Sequence, residues 1–303
     1  MAIPSSFAAK IPSPLVLLKD DRLDDAGMTL YLKRDDLISP DISGNKWRKL
    51  KYNLEAARRQ GYTTLLTFGG AYSNHLRAVA AAGELFSFET IGIVRGEEYA
   101  PLNWSLAYAA ERGMRLEYMN RETYRRKNEA DAIGALHRRF GKFYLVPEGG
   151  SNEPAVRGCV EITGEIDVDF DVICCPVGTG GTLAGIAAGL APHQRAIGFS
   201  SLKGGDFLDA EVEDLQRRAY GMRLGDWRVE TGYHFGGFAK VPAELRAFAA
   251  DFERRHGVAL EEIYVAKMLY GIFDMAARGE FAPGVKIVAV VTGVAENPRT
   301  NEG

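Results

Sequence analysis

Hydrophobic and polar positions follow two different periods along most of the chain. Short runs of consecutive apolar residues, such as 171–175 and 285–291, are typical of buried strands, whereas residues 45–60 carry apolar positions near helical spacing. Because strand-like and helix-like segments alternate, we predict an α/β fold with parallel-rich sheets flanked by crossover helices.

The pattern predicts the following elements. Strands are expected at 30–33, 64–68, 90–94, 115–118, 143–146, 171–175, 196–200 and 285–291. Helices are expected at 45–60, 74–83, 102–112, 122–140, 158–165, from the turn 178–181 through 190, and at 209–220, 243–256 and 267–278.

Composition and charge narrow the class of protein. A chain of 303 residues with 46% hydrophobic residues can bury a substantial core. Its 37 Lys plus Arg nearly balance 40 Asp plus Glu, so no overall field attracts nucleic acid, and a small-molecule partner is expected. The sequence has neither a secretion signal nor an apolar run near the roughly 20 residues that span a bilayer, so we expect a soluble cytoplasmic protein with no membrane partner.

The cysteines suit neither a disulfide framework nor a metal site. Cys174 and Cys175 are adjacent in an apolar run, and the chain has three cysteines in all. We therefore expect buried reduced thiols and no metal.

Lys46 is the first candidate for chemistry. It follows Ser43-Gly44-Asn45 and precedes a predicted helix, so small residues would let a ligand approach the backbone. A lysine in a charged run more often marks a solvated surface. In a confined site, however, a lysine amine can lose its proton and form a Schiff base.

A second candidate is the segment 68–75, Phe-Gly-Gly-Ala-Tyr-Ser-Asn-His, where a predicted strand passes into a helix. The carboxyl ends of strands are where α/β sheets bind ligands. By themselves, Ser73 and Asn74 are more typical of a helix N-cap, and His75 of a helix surface. The segment acquires a function only in combination with other motifs.

The third candidate is the glycine-rich turn after the predicted strand 171–175. Its glycines would let backbone N–H groups converge on a phosphate at a helix N-terminus. The turn lacks the ending of an NTP-binding P-loop, and Leu183 occupies the place of the third glycine of a dinucleotide fingerprint. The sequence therefore favours a monophosphate over ATP or NAD, and a nucleotide-dependent enzyme is the weaker hypothesis. A close-packed turn without a ligand is the structural alternative.

Together the three motifs resemble the tryptophan-synthase-β fold type (fold type II) of pyridoxal 5′-phosphate (PLP) enzymes. Within it, the chain is most similar to the 1-aminocyclopropane-1-carboxylate deaminase and D-cysteine desulfhydrase family. The resemblance runs from about residue 14 to 293 and is most specific at Leu32-Lys33-Arg34-Asp35-Asp36 and Ser43-Gly44-Asn45-Lys46-x-Arg48-Lys49-Leu50.

This resemblance implies PLP as the cofactor and two lobes with the cofactor between them. We expect a larger lobe from residues 1–47 and 160–303, and a smaller substrate-side lobe from 48–159. It also implies a homodimer.

The resemblance assigns roles to residues of the first two motifs. Lys46 would bind PLP and later move the substrate proton, and Asn74 would bond the phenolic oxygen of the cofactor. Ser73 would lie near the substrate carboxylate as a catalytic and binding residue, and His75 would complete that anion site with the backbone of 70–74.

Further roles fall on the second half of the chain. Tyr264 resembles the catalytic tyrosine that packs over the cofactor, and Tyr233 is a further candidate for a substrate-side aromatic. The residues that match the phosphate cradle are Gly178, Thr179, Gly180, Gly181 and Thr182.

Two departures from the family pattern bear on function. Val265-Ala266-Lys267 follows the tyrosine where Thr-Gly-Lys or Glu-Gly-Lys is usual, so the glutamate that the cyclopropane deaminases place against the pyridine nitrogen is absent. Val294 replaces the second glycine of a His-Thr-Gly-Gly motif, and the tail 295–303 differs from the usual apolar ending. Thr292 is then the candidate partner of the pyridine nitrogen.

These features favour an α,β-elimination on a small amino acid, similar to that of D-cysteine desulfhydrase, giving a 2-oxo acid and ammonia. A neutral hydroxyl favours a protonated pyridine less than a carboxylate does, so the cofactor should be a weaker electron sink. Deamination of 1-aminocyclopropane-1-carboxylate is the second hypothesis. A PLP-binding protein with little catalysis is an alternative of another class.

Overall fold

Two sheets of mainly parallel strands carry the fold of residues 7–98 and 100–293, which are the residues that the computed structural model describes. In chain order the strands are β1 (Leu15–Leu18), β2 (Thr29–Lys33), β3 (Thr64–Gly69), β4 (Glu89–Arg95), β5 (Met114–Met119), β6 (Tyr144–Val146), β7 (Val172–Val177), β8 (Arg195–Ser200), β9 (Asp226–Glu230) and β10 (Lys286–Val290). The helices are α1 (Asp21–Asp25), α2 (Lys46–Arg59), α3 (Asn74–Phe86), α4 (Trp104–Glu111), α5 (Arg121–Arg125), α6 (Ala130–Phe140), α7 (Glu153–Gly164), α8 (Gly181–Ala188), α9 (Leu208–Tyr220), α10 (Ala243–His256) and α11 (Val265–Ala277).

The larger sheet has the strand order β1-β2-β10-β7-β8-β9, and the smaller sheet has the order β5-β4-β3-β6. Strand β1 pairs antiparallel with β2, and the remaining pairings in both sheets are parallel. The predicted α/β class with parallel-rich sheets is confirmed.

Both faces of the larger sheet are covered, and β7 explains why its sequence is a continuous apolar run. Side chains of successive strand residues point to opposite faces. Cys174 packs in the cluster with α10 and α11, whereas Cys175 packs in the cluster with α7, α8 and α9. A central parallel strand that is buried on both sides needs apolar residues at every position. The three cysteines are buried and free, as expected.

The division of the strands between the two sheets resembles the predicted division into two lobes. The smaller sheet is built from strands between residues 64 and 146, and the larger from strands on either side of that segment. The predicted lobe boundaries fall inside α2 and α7, which approach so closely that a Cβ on Gly158 would lie 1.9 Å from the carbonyl oxygen of Arg48. The boundaries themselves therefore stay a prediction.

Some predicted elements differ from the structure. The helix expected at 122–140 is two helices, α5 and α6, separated by a turn. The helix expected at 158–165 begins at Glu153, because Asn152 accepts a hydrogen bond from the Ala155 N–H at 3.1 Å and caps it. Strands β1 and β9 and helix α1 were not predicted, since each has at most five residues and carries little periodicity.

No helix in the described part of the chain is both long enough and apolar enough to cross a bilayer.

Candidate active site

The candidate residues meet where the carboxyl edges of the two sheets face each other. From the larger sheet come the turn 178–181 after β7, Thr292 after β10, and the segment 34–45 after β2. From the smaller sheet come the segments 70–73 after β3 and 147–151 after β6. Parallel strands present their carboxyl ends at one edge, and this is where ligands of α/β sheets bind.

Lys46 lies at the centre of this convergence, as the first residue of α2. Its Nζ is 3.3 Å from Oδ1 of Asn45. The Asn45 side chain donates to Oγ1 of Thr182 at 3.0 Å, and its backbone N–H donates to the carbonyl of Thr292 at 3.1 Å. The segment before Lys46 is therefore tied both to the glycine turn and to the end of β10.

Gly44 makes this close approach possible. Its φ is +64°, and a Cβ at this position would lie 2.0 Å from the carbonyl oxygen of Thr292. Glycine is the residue that adopts such a φ at little cost and leaves that space empty.

The environment of Lys46 changes the chemistry of its amine. Burial and the positive charge of Lys49 lower the pKa of Lys46 to about 7, although the negative charge of Glu261 raises it in part. A large fraction of the amine is thus unprotonated near neutral pH. An unprotonated lysine amine is a nucleophile that can attack an aldehyde.

The glycine turn has the geometry of an anion site. Gly178 packs against the ring of Tyr264, since a Cβ at Gly178 would lie 3.1 Å from Cε1 of that ring. Gly180 has a φ of +77°, which turns the chain into α8. The first turn of an α-helix has N–H groups without intrahelical acceptors and carries the positive end of the helix dipole. Both properties favour a bound phosphate.

Lys49 and Ser151 lie beside the same glycine turn, and sequence reasoning missed both. Lys49 is 5% exposed, and its Nζ donates to the carbonyl of Gly149 at 3.1 Å and to Oγ of Ser151 at 3.3 Å. The Ser151 hydroxyl also shares a hydrogen bond with Oγ1 of Thr179 at 2.6 Å. A signal was present, because residues three apart on a helix share a face and Lys49 follows Lys46 by three.

Ser73 and Asn74 begin α3 at the carboxyl end of β3. Oγ of Ser73 accepts a hydrogen bond from the Leu76 N–H at 3.3 Å, so Ser73 is the N-cap. Oδ1 of Asn74 accepts from Arg77, which leaves its amide N–H groups as the donors for a ligand. Both residues are partly buried, and their ligand contacts stay a prediction.

The predicted place of His75 in an anion site stays a prediction, but the structure limits what the side chain can contribute. The side chain is buried, and Nε2 lies 2.8 Å from Oγ1 of Thr67. Burial, together with the positive charges of Lys46 and Lys49, holds the pKa of His75 well below its usual value. The imidazole is therefore neutral near pH 7 and contributes no positive charge to a carboxylate site.

Tyr264 lies just before α11, where Glu261 fixes its backbone. Oε2 of Glu261 accepts from the Tyr264 N–H at 2.7 Å and from the Val265 N–H at 3.3 Å, and Oε1 accepts from the Ile263 N–H at 2.9 Å. Burial raises the pKa of the Tyr264 hydroxyl, so that it stays neutral and can donate.

The role of Tyr233 as a substrate-side aromatic stays a prediction, and its hydroxyl is bonded to residues well beyond Tyr264 along the chain. Its hydroxyl donates to Oδ2 of Asp274 at 2.8 Å and accepts from Arg278 at 2.7 Å. Asp274 lies near the end of α11, about 15 Å along the helix axis from Tyr264 at 1.5 Å per residue, and Arg278 follows the helix. The aromatic residue that does meet Tyr264 is Phe238, with ring centroids 5.8 Å apart.

The structure describes the first departure from the family pattern, at Val265, but only part of the second, near Thr292. Val265 is fully buried in the apolar cluster that packs against the larger sheet, and it presents no polar group. Thr292 is partly exposed beside Gly44. Val294 and the tail 295–303 lie outside the described residues.

A buried charge network fixes the helix that carries Lys46. Arg48 is fully buried and forms paired hydrogen bonds of 2.7 and 2.8 Å with Asp35, and of 2.7 and 2.8 Å with Glu165. Lys33 donates to Glu165 at 3.0 Å, and Ser13 donates to Asp35 at 2.7 Å. Two cations and two carboxylates thus neutralise each other within hydrogen-bond distance, two residues from Lys46.

Comparisons with known proteins cover nearly the whole chain. The pattern of the family "Pyridoxal-phosphate dependent enzyme" matches residues 8–293. A protein of Pyrococcus horikoshii named "Putative 1-aminocyclopropane-1-carboxylate deaminase" is 31% identical over 283 residues, which cover 88% of this chain and 85% of that protein. The D-cysteine desulfhydrase of Yersinia pestis is 28% identical over 301 residues, covering 91% and 90% of the two chains. A crystal structure of an ACC deaminase homologue has a TM-score of 0.81 at 28% identity, covering 96% of this chain and 92% of that one.

Proposed function

Because this chain belongs to the pyridoxal-phosphate dependent enzymes, and within them to the 1-aminocyclopropane-1-carboxylate deaminase and D-cysteine desulfhydrase family, we propose that it catalyses α,β-elimination on a small β-thio amino acid. With D-cysteine and one water molecule the products are pyruvate, ammonia and hydrogen sulfide. The observation that carries this choice over ring opening is the buried, apolar Val265 at the position where the deaminases have a glutamate.

The residues present fit PLP. A phosphate matches the glycine turn, where Gly178 packs closely against Tyr264 and where the buried amine of Lys49 lies beside Ser151. The aldehyde matches Lys46, whose pKa of about 7 leaves much of the amine able to attack it. When bound, PLP supplies an electron sink for negative charge at the α-carbon of the substrate.

Lys46 has two tasks in this proposal. Its amine would hold PLP through the aldehyde, and once free in the presence of substrate the same amine would remove the α-proton. A pKa of about 7 suits the second task, because a general base works best when its pKa is near the working pH. The link from Asn45 to Thr182 keeps the start of α2 beside the glycine turn, which would hold the phosphate.

Ser73 and Asn74 orient the substrate and the cofactor. The Ser73 hydroxyl accepts from the Leu76 N–H and keeps its own hydrogen for a substrate carboxylate. The Asn74 amide, whose oxygen accepts from Arg77, would donate an N–H to the phenolic oxygen of the cofactor. Since His75 is neutral, the carboxylate is bound by hydrogen bonds rather than by an ion pair with that imidazole.

Thr292 is the proposed partner of the pyridine nitrogen. Glu261 is a carboxylate near this edge, with its Cγ 3.9 Å from where a Cβ on Gly293 would stand, but its oxygens accept from the backbone at the start of α11. A hydroxyl partner stabilises a protonated pyridine less than a carboxylate does. That difference favours elimination, in which the leaving group takes up the electron pair, over opening a ring that has no α-hydrogen.

The test is a panel of amino acids on the purified holoenzyme. D- and L-cysteine, D- and L-serine, β-chloroalanine and 1-aminocyclopropane-1-carboxylate are assayed for 2-oxo acid, ammonia and sulfide. The proposal expects pyruvate and sulfide from cysteine in one enantiomer. Formation of 2-oxobutyrate from the cyclopropane substrate, with no pyruvate from D-cysteine, would overturn it. A homodimer and a cytoplasmic location stay predictions.

A further inference from the structure

An exposed arginine stands beside the segment 70–73 of the candidate site. Arg95 is the last residue of β4, which pairs in parallel with β3. A Cβ on Gly70 would stand 3.6 Å from Nη2 of Arg95. Within the described part of the chain the Arg95 guanidinium makes no ion pair, although Glu97 and Glu98 follow it closely. Because a guanidinium keeps its proton throughout the physiological pH range, this edge of the site carries a cation that no contact neutralises.

The Arg95 side chain lies over a fixed aromatic ring. Its Cζ is 5.8 Å from the centroid of the Tyr124 ring. Tyr124 is 3% exposed and packs against Phe68, with the two ring planes at 86°. The negative face of an aromatic ring attracts a cation and leaves the N–H groups of the guanidinium free to donate elsewhere. The guanidinium is therefore stabilised beside Gly70 with its donors available to a ligand.

A second arginine adds to the positive charge at this edge. Arg121 is the first residue of α5, which follows β5, and its Nη2 is 4.0 Å from where a Cβ on Gly96 would stand. It is exposed and forms no ion pair with any residue that the structure describes. Lys127, which also lies over Tyr124, pairs with Glu148 at 3.0 Å, so these two charges cancel. The carboxyl ends of β4 and β5 thus present two guanidinium groups that no described carboxylate neutralises by contact.

The order of segments along the edge of the smaller sheet indicates which part of a substrate would reach Arg95. The segment 147–151 after β6 contacts the glycine turn, since a Cβ on Gly149 would lie 2.6 Å from Oγ1 of Thr179. The segment 70–73 after β3 comes next, and β4 lies on the other side of β3 from β6. Neighbouring strands are about 4.8 Å apart. A substrate whose α-carboxylate is bound by 70–74 would therefore reach Arg95 with its side chain.

We propose that Arg95 is a specificity-determining residue that binds an acidic group on the side chain of the substrate, so that the substrate is a β-thio amino acid whose sulfur substituent carries a carboxylate or a similar anion. The proposal rests on the proposed function and narrows its substrate class. An arginine binds a carboxylate through two parallel N–H donors, whereas an amide of the same size offers one acceptor and no charge. Charge rather than size then separates good ligands from poor ones.

Two cysteine S-conjugates of equal size test the claim by turnover. S-carboxymethylcysteine carries the acid, and S-carbamoylmethylcysteine has an amide in its place. With one water molecule, elimination from the acid gives pyruvate, ammonia and mercaptoacetate. In the enantiomer that the holoenzyme uses, kcat/KM should be about tenfold higher for the acid, chiefly through a lower KM, and Arg95→Gln should remove the difference. No preference for the acid in the wild type, or an unchanged preference in Arg95→Gln, would overturn the proposal.

Two pairs of amino acids without a β-leaving group test the same claim by binding. Affinities of the holoenzyme for aspartate and asparagine, and for glutamate and glutamine, are measured from the change in PLP absorbance. In at least one pair the acid should bind about tenfold more tightly than the amide, and Arg95→Gln should abolish that ratio. Arg138→Gln is the matched control, because Arg138 is an exposed arginine in the last turn of α6, next to the start of β6. Equal weakening of acid and amide in Arg95→Gln would refute the proposal, because Arg95 would then bind the α-carboxylate that both share.

The two experiments separate the possible failures. If the wild type forms no 2-oxo acid from any β-thio amino acid, the proposed function is wrong, and the binding ratios still decide whether Arg95 selects an acidic side chain. If the wild type forms pyruvate from cysteine but binds acid and amide equally well, the role of Arg95 alone is refuted. Arg95 is exposed, so Arg95→Gln should keep the Tm of the wild type, and a loss of selectivity cannot then be ascribed to unfolding.

Discussion

Replacing Glu165 by glutamine is expected to destabilise the protein by about 3 kcal/mol near neutral pH. Burial by itself raises the pKa of this carboxyl, but hydrogen bonds and charge from Arg48 and Lys33 outweigh it and lower the pKa from 4.5 to about 2. A shift of that size corresponds to about 3 kcal/mol of folding free energy. The side chain is 11% exposed, so solvent weakens the interaction only in part.

The stability that Glu165 contributes should decrease at low pH. A carboxyl whose pKa is lower in the folded state stabilises the protein above its unfolded pKa, here near 4.5, and loses this contribution as pH falls towards 2. The stability difference between wild type and Glu165→Gln should therefore be constant above about pH 5 and narrow at lower pH.

The assay is urea unfolding followed by circular dichroism at pH 7, 5, 4 and 3. A loss of about 3 kcal/mol would also lower Tm by roughly 5 °C for a chain of this length. Glu161→Gln is the control on the same helix, because Glu161 is 31% exposed and its loss should cost less than about 1 kcal/mol. Equal losses in the two variants, or a difference independent of pH, would refute the reasoning.

Three further predictions concern PLP binding by the residues around Lys46. Gly44→Ala should abolish PLP binding in an absorbance titration, because the new Cβ would lie 2.0 Å from the Thr292 carbonyl oxygen. The control Gly61→Ala has no atom within 4 Å of the new Cβ and should bind PLP normally. Its positive φ should cost about 1 kcal/mol of stability. Lys49→Met should weaken PLP affinity about tenfold or more in the same titration, because a charged phosphate donor is lost. The rate of PLP attachment to the apo protein should rise with pH, with a midpoint near pH 7. In Lys49→Met the midpoint should lie at a higher pH, because the charge of Lys49 helps to lower the pKa of Lys46.

The parts of the site that depend on local geometry were accessible to sequence reasoning. Gly44 needs a positive φ, Lys46 begins a helix, and Gly180 turns β7 into α8, and each requirement is met within a few residues of chain. The parallel strand β7 was equally clear, because burial on both faces leaves a continuous apolar run.

What sequence reasoning missed depends on contacts between distant segments. Lys49 reaches Ser151 across 102 positions, and no local pattern around either residue indicates that contact. The neighbours of Tyr233 were equally hidden, because an aromatic residue alone does not reveal its partners, and in the fold its hydroxyl is bonded to Asp274 across 41 positions.

The most direct test of the account is borohydride reduction of the holoenzyme followed by peptide mapping, because reduction makes a bond between lysine and PLP permanent. The account predicts a phosphopyridoxyl group on Lys46 in the peptide that contains Ser43-Gly44-Asn45, and loss of the PLP absorbance band in Lys46→Ala. A label on Lys49 or on another lysine, or an unchanged band in Lys46→Ala, would contradict it.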